Sequence, residues 1–166
     1  DLAAVVSASH NPYADNGIKF FAGDGFKLSD EHEDAIEERL RAPVAPCTTI
    51  GRVRALHGTQ EDYLRSLEVR FQGLDLNGLD VLLDCAHGAT YRVAPEIFRR
   101  LGASVTTIGT EPDGRNINDG VGSTHVEALA AAVAAGGHAV GFAFDGDGDR
   151  VLAADGAGAV VDGDEL

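Results

Sequence analysis

An α/β fold is predicted for this chain: a three-layer α/β/α domain around a mostly parallel βαβαβ sheet. Two observations predict it. From Val81 to Phe144, short β-branched or aromatic runs alternate with segments whose apolar residues recur every three or four positions. The composition, 44% hydrophobic and 24% charged over 166 residues, suits a globular chain of one domain or two small ones.

The elements follow in order. Leu2–Val6 reads as a buried strand and Ile18–Phe21 as another, separated by the turn-forming stretch Ser7–Gly17. Asp30 with Glu33 resembles a capping box, and Ile36 and Leu40 give an apolar stripe ending near Arg41. The Glu31–Glu38 charge run reads as the solvated face of that helix. Residues 42–58, with Pro43 and Pro46, read as a linker. Thr59 can cap a second helix carrying Tyr63, Leu64, Leu67 and Phe71, closed by Gly73.

Val81–Leu83 is then a strand, and Val93, Ile97, Phe98 and Leu101 stripe a helix stopped by Gly102. Val105–Ile108 is a strand, Val126, Leu129 and Val133 mark a helix ending at Gly136-Gly137, and Val140–Phe144 is a third strand. Parallel strands joined in this way need crossovers, which put helices on the sheet faces. Val151–Ala154 and Val160-Val161 read as a terminal hairpin. The 109–124 connection is long for a compact domain, and such loops carry function or lack structure.

Thirteen Lys and Arg against 27 Asp and Glu give a formal charge of −14. Residues 1–72 hold 8 basic and 12 acidic side chains, whereas 73–166 hold 5 and 15, so the second part carries most of the excess. That balance argues against nucleic acid and anionic membrane surfaces as partners. No apolar run approaches the ~18 residues of a membrane span, and no signal segment opens the chain. Cys47 and Cys85 form no C-x-x-C pair, and a cytoplasmic location is expected. Beginning at Asp1-Leu2 and running directly into a strand, the chain is expected to be part of something longer.

Phe144-Asp145-Gly146-Asp147-Gly148-Asp149-Arg150 is the sharpest feature. Asp145, Asp147 and Asp149 alternate with glycines that let the backbone wrap and turn the oxygens inward. Oxygen-only donors suit hard cations such as Mg²⁺ or Ca²⁺. An EF-hand would need glycine where Arg150 stands and glutamate where Gly156 stands, so that reading fails. A plain solvated acidic turn would bring three carboxylates together with no cation to offset their repulsion. The loop follows a parallel strand, at the edge where open α/β sheets bind ligands. Arg150 beside it makes sense when an anion, most simply a phosphoryl group, sits between cation and guanidinium.

Ser7-Ala8-Ser9-His10-Asn11-Pro12 also follows a strand. It lacks the glycines of a hydrolase nucleophile elbow, and taken alone it reads as a turn, with Lys19 an ordinary surface charge. Together the two loops supply a serine, a lysine, a hard-cation site and an arginine, the parts of phosphoryl transfer.

Through Ser7–Pro12 with its continuation Asp15-Asn16-Gly17-Ile18-Lys19-Phe20-Phe21, and through Asp145–Arg150, the chain resembles the α-D-phosphohexomutase superfamily. Asp84–Ala89, Pro112–Asn118 and Gly122–His125 are similar to its bacterial phosphoglucosamine mutase branch, although Val121 stands where cysteine is commoner. The resemblance covers nearly the whole chain. It implies four domains in the family's full-length members. Residues 1–58 would be a truncated portion of the first and a linker, 59–154 the second, and 155–166 the start of the connection to the third.

The resemblance also implies roles. Ser9, rather than Ser7, would be the phosphorylated residue, and Asp145, Asp147 and Asp149 would hold one Mg²⁺ together with the Ser9 phosphate. Lys19 and Arg150 would steady the transferring group, and His10 would act in proton transfer. The implied reaction interconverts glucosamine 6-phosphate and glucosamine 1-phosphate through a 1,6-bisphosphate, towards UDP-N-acetylglucosamine and cell wall. The partner is thus a hexosamine phosphate, with a homodimer of the full-length protein left open. The alternatives are phosphomannomutase or phosphoglucomutase of the same superfamily, or a non-catalytic divalent-cation-binding module. His87, His125 and Cys85 are expected to be structural.

Overall fold

A computed structural model describes residues 2–43 and 48–163. Cys47 and the 44–47 part of the expected linker lie outside the described residues. The chain divides into two compact units, Asp1–Ser7 with Gly17–His57, and Ala8–Asn16 with Gly58–Leu166.

In the first unit, β1 (Leu2–Ser7) and β2 (Gly17–Ala22) pair antiparallel from Leu2↔Ala22 to Ser7↔Gly17. Val5, Val6, Ile18 and Phe20 suit a pleated surface, but Leu2–Val6 is exposed rather than buried as read, because among the described residues β1 pairs only with β2 in a two-stranded sheet. The strand then turns at Asp24-Gly25, where Gly25 takes φ 86°, and Ala22 N–H donates to Phe26 O. Helix α1 (Asp30–Leu40) begins one residue earlier than the capping-box reading, with Ser29 in the cap position. The Ser29 hydroxyl meets His32 Nδ1 at 2.9 Å rather than a helix N–H. Asp30, Glu31 and Glu33 fill the first turn, where the helix dipole favours negative charge. No α1 residue is buried, so the Glu31–Glu38 run is a solvated face as expected.

The second unit opens with α2 (Thr59–Arg70), entered through Gly58 at φ 86° rather than through a Thr59 side-chain cap. Next come β3 (Asp80–Asp84), α3 (Val93–Arg100), β4 (Ser104–Ile108), α4 (Val126–Gly136), β5 (Val140–Phe144), β6 (Val151–Asp155) and β7 (Val160–Val161). The sheet order is β4-β3-β5-β6-β7. The β4-β3-β5 pairs are parallel, and the terminal hairpin adds β6 and β7 antiparallel at one edge. The α/β class and its three layers therefore stand as read.

The order explains the layers. The β3-to-β4 connection moves one way along the sheet and the β4-to-β5 connection returns past β3. Right-handed crossovers in opposite directions need opposite faces. Accordingly, Leu82 packs with Leu129, Val133 and Ala143 on the α4 side. Val81, Leu83 and Cys85 pack with Ala94, Ala103 and Phe98 on the α3 side. A central strand covered on both faces must be apolar at every position, which is why Val81-Leu82-Leu83 lacks alternation. Arg100 of α3 donates to Glu61 Oε2 at 2.7 Å, tying α3 to α2, and to Glu96 Oε1 within α3 at 2.9 Å.

Cys85 is fully buried, and burial pushes its thiol from 9.0 up to about 11, with Asp84 adding and Thr90 offsetting part. In a Cys47→Ser background, Ellman's reagent at about pH 8 should leave Cys85 unmodified until the chain is denatured. Rapid labelling of the native chain would contradict its burial. Because this folded-state value is raised, the thiol's contribution to stability is complete below pH 9 and is lost as pH climbs through about 11.

Candidate active site at the carboxyl edge of the sheet

The acidic loop connects β5 to β6 across an antiparallel pair, so it turns back tightly at the carboxyl edge. Asp145 is fully buried. Its Oδ1 accepts from Gly148 N–H at 3.0 Å and from Arg150 N–H at 3.2 Å, and these bonds wrap the loop around it. Among the described residues no group donates to its buried Oδ2. Asp145, Asp147 and Asp149 each offer a carboxylate oxygen, all within 4.8 Å of one another. Burial pushes the Asp145 carboxyl above its ordinary range, and the charges of Asp147 and Asp149 raise it further, against the lowering bond from Arg150 N–H. A buried acceptor without a donor, beside two like charges, fits a hard cation better than any neutral arrangement.

Two glycines make the packing around this loop feasible. A Cβ on Gly88 would overlap the Gly146 backbone, and Ala89 N–H donates to Gly146 O at 2.8 Å. A Cβ on Gly146 would in turn overlap the Ser9 carbonyl and the Ile117 side chain. The metal-type loop thus lies between the end of β3 and the serine loop.

Ser9 adopts a left-handed φ of 53°. Its hydroxyl donates to Asp147 Oδ1 at 3.2 Å and stands 3.5 Å from His10 Nδ1, the outer limit of a hydrogen bond. Ser7, by contrast, ends β1 in register with Gly17. Arg150 is exposed and holds Asp145 through its backbone. The second unit therefore brings together Ser9, His10, Asp145, Asp147, Asp149 and Arg150. Lys19 belongs to the first unit, on β2 opposite Val5, where it lines a cavity of about 490 Å³ with Lys27 and Glu33.

The long 109–124 connection is ordered by the end of β3. Buried Asp84 accepts from Ala86 N–H at 3.0 Å and from Gly122 N–H at 2.7 Å. His87 N–H donates to Gly109 O at 2.7 Å, and its Nδ1 accepts from Glu111 N–H at 3.1 Å, the structural part expected of it. Asn118 then reaches the serine loop, its side-chain amide donating to Ser9 O at 2.8 Å and Asn11 O at 2.9 Å. Sequence reasoning assigned no role to Asp84 or Asn118. Two signals pointed to the segment of Asn118, the unusual length of its loop and the resemblance carried by Pro112–Asn118, but neither gave the residue a part to play. Among the described residues, the non-glycine positions with positive φ are Ser9, Ala86, His87 and Asn118, all in these contacting loops. Strain of this kind gathers where surrounding bonds over-determine the backbone. His10, Arg115, Asn118 and His125 line a cavity of about 500 Å³ next to Ser9.

Fold and site together define a three-layer α/β/α protein with an acidic cation-type loop facing a serine hydroxyl at the carboxyl edge of its sheet. Residues 54–158 match the phosphoglucomutase/phosphomannomutase alpha/beta/alpha domain II, and residues 1–44 match alpha/beta/alpha domain I. The chain belongs to the phosphoglucomutase/phosphomannomutase family, as the resemblance of its two loops implied.

Similar curated proteins include the phosphoglucosamine mutases of Pseudomonas putida strain KT2440, 53% identical, and Xylella fastidiosa strain M23, 52% identical. Each alignment covers 100% of this chain and 38% of the relative. The chain thus spans well under half the length of these relatives. Among solved structures, a phosphoglucomutase/phosphomannomutase family protein of Burkholderia thailandensis superposes with a TM-score of 0.73 at 27% identity, over 97% of this chain and 35% of that one. An N-acetylphosphoglucosamine mutase of Aspergillus fumigatus, in complex with glucose 1,6-bisphosphate, shares the fold at a TM-score of 0.66 and 17% identity, over 99% of this chain and 44% of its own. Among the described residues no helix is long and apolar enough to cross a membrane.

Proposed function

We propose that this chain supplies the phosphoserine and metal-binding part of a phosphoglucosamine mutase, which interconverts glucosamine 6-phosphate and glucosamine 1-phosphate. The observation that carries this reading is the 3.2 Å bond from Ser9 Oγ to Asp147 Oδ1, which joins the only serine of that loop outside β1 to the carboxylate cluster. The names of the relatives favour glucosamine phosphate over the mannose and glucose phosphates handled elsewhere in the family. We read residues 1–58 as first-domain and linker sequence, 59–154 as second-domain, and 155–166 as leading to a third.

In this reading Ser9 carries a phosphoryl group. The O1 hydroxyl of glucosamine 6-phosphate attacks that phosphorus, the Ser9 Oγ–P bond breaks, and the O1 proton passes through His10 to Ser9 Oγ. The bisphosphate so formed returns its O6 phosphoryl group to Ser9 by the reverse transfer. Asp145, Asp147 and Asp149 would hold Mg²⁺, which neutralises charge on the phosphoryl oxygens as it does in phosphoryl transfer generally. Arg150 holds remaining anionic charge, and the Gly148 and Arg150 amides keep Asp145 aimed inward.

Magnesium binding tests the reading. At about a hundredfold excess over its Kd, Mg²⁺ should add about 2.7 kcal/mol, a rise of about 5–10 °C in Tm for a chain of this size. The raised Asp145 value sets the sign with pH. As pH rises through it, the metal-free fold loses stability relative to the unfolded chain, which binds fewer protons. Protons and Mg²⁺ compete for the same oxygens, so the rise should shrink at about pH 5 compared with about pH 7.5. Asp147→Ala should remove the rise and the Mg²⁺-dependent turnover of a full-length protein while leaving the circular dichroism intact. A fully active Asp147→Ala enzyme would refute the metal assignment.

A further inference from the structure

We infer that Asn118 is the positioning residue that sets the reach of Ser9 to the metal loop. A carboxamide nitrogen carries two donors, and here they go to two carbonyls of the serine loop, Ser9 O at 2.8 Å and Asn11 O at 2.9 Å. The opposite amide orientation would set an oxygen against both carbonyls, so the bonds themselves choose the orientation. Asn118 is 6% exposed, and its Oδ1 is buried with no hydrogen-bond partner among the described residues. The side chain therefore spends its bonding on the serine loop alone.

Its own placement is well determined. Asn118 N–H donates to Ala86 O at 2.9 Å, and its left-handed φ of 57° is one that asparagine tolerates better than most residues. Ala86 is fixed by Asp84, which also holds Gly122, so both ends of the segment carrying Asn118 are tied to β3. On its other side the Ser9 carbonyl lies where a Cβ of Gly146 would be. Ser9 is thus held between the Asn118 amide and the bare Gly146 backbone, at a strained φ of 53° that leaves its hydroxyl 3.2 Å from Asp147 Oδ1. Release of the clamp would let Ser9 relax and move its oxygen away from the carboxylates, with the acidic loop itself untouched.

This inference rests on the reading of Ser9 as the phosphorylated residue, and two measurements separate the two. In the unsubstituted chain, the side-chain amide protons of Asn118 should exchange at least about tenfold more slowly than those of Asn16, whose amide bonds one carbonyl at an exposed site. Exchange as fast as at Asn16 would overturn the clamp. The second measurement is Mg²⁺ binding by calorimetry to phosphorylated and dephosphorylated full-length protein. Phosphorylation of Ser9 should tighten Mg²⁺ binding about tenfold, the equivalent of about 1.4 kcal/mol.

In Asn118→Asp and Asn118→Ala, affinity in the dephosphorylated form should stay within about threefold, while the gain from phosphorylation largely disappears. The turnover number should fall about a hundredfold, as expected for a displacement near 1 Å. Variants that keep both the gain and the turnover would overturn the inference, as would parallel loss of affinity in both forms, which marks general damage. Should both variants fail to fold, the exchange rates of the unsubstituted chain decide. If phosphorylation gives no gain in the unsubstituted protein, the phosphoserine reading fails, and slow Asn118 exchange still upholds the clamp.

Discussion

Ser9→Ala in a full-length protein is expected to lower mutase turnover by about 10⁴-fold or more, the scale on which loss of a covalent nucleophile is felt. The fold should survive, because the hydroxyl is half-buried and its bond to Asp147 is one of many ties on that loop. Ser7→Ala should stay within about threefold of the unsubstituted enzyme, since Ser7 ends the β1 ladder opposite Gly17 and is not one of the groups gathered at the carboxylate cluster. Mass spectrometry of active enzyme should place phosphate on the Ser9 position. Phosphate confined to Ser7, or an active Ser9→Ala enzyme, would sink the assignment.

Gly146→Ala should have the second-largest effect, for a steric reason. Its φ lies outside the left-handed region, so the substitution meets no backbone penalty. The new methyl would instead overlap the Ser9 carbonyl and the Ile117 side chain, while Gly88 closes the other side of the loop. Backbone atoms cannot rotate away, so the serine and acidic loops must separate, at a cost of about 1–3 kcal/mol or more. Magnesium affinity should fall at least about tenfold, equivalent to about 1.4 kcal/mol. Gly114→Ala is the control. Gly114 has φ 87° with nothing within 4 Å, so alanine there should cost only about 1–2 kcal/mol of backbone strain and leave Mg²⁺ binding unchanged. Equal effects of the two substitutions on Mg²⁺ binding would show that crowding at Gly146 is not what holds the loops in place.

Much of the second unit was legible because its elements obey local rules. Val81–Leu83 is apolar at each position because β3 is covered on both faces, and Val93, Ile97 and Phe98 give α3 its stripe. The acidic loop was legible for a different reason: alternating Asp and Gly is a costly pattern unless a cation rewards it. The helix starts were less legible. Ser29 and Asp30 are both good cap formers, and only the extended φ and ψ of Ser29 decide between them. At α2 the left-handed Gly58 precedes Thr59, whose side chain caps nothing.

The sequence alone determined the α/β class and the two loops, because period and turn residues are written in neighbouring positions. Tertiary structure decided what faces Ser9. Asn118 lies 109 residues further along, and Asp84 acts on Gly122 across 38. No local rule connects such pairs. The left-handed conformations of Ser9 and Ala86 carry no mark in their residue types, because bonds from distant strands and loops impose them. The parallel sheet carries β3 and β5 side by side, so the loops that leave them, remote in sequence, meet at one edge and must satisfy each other's polar groups there.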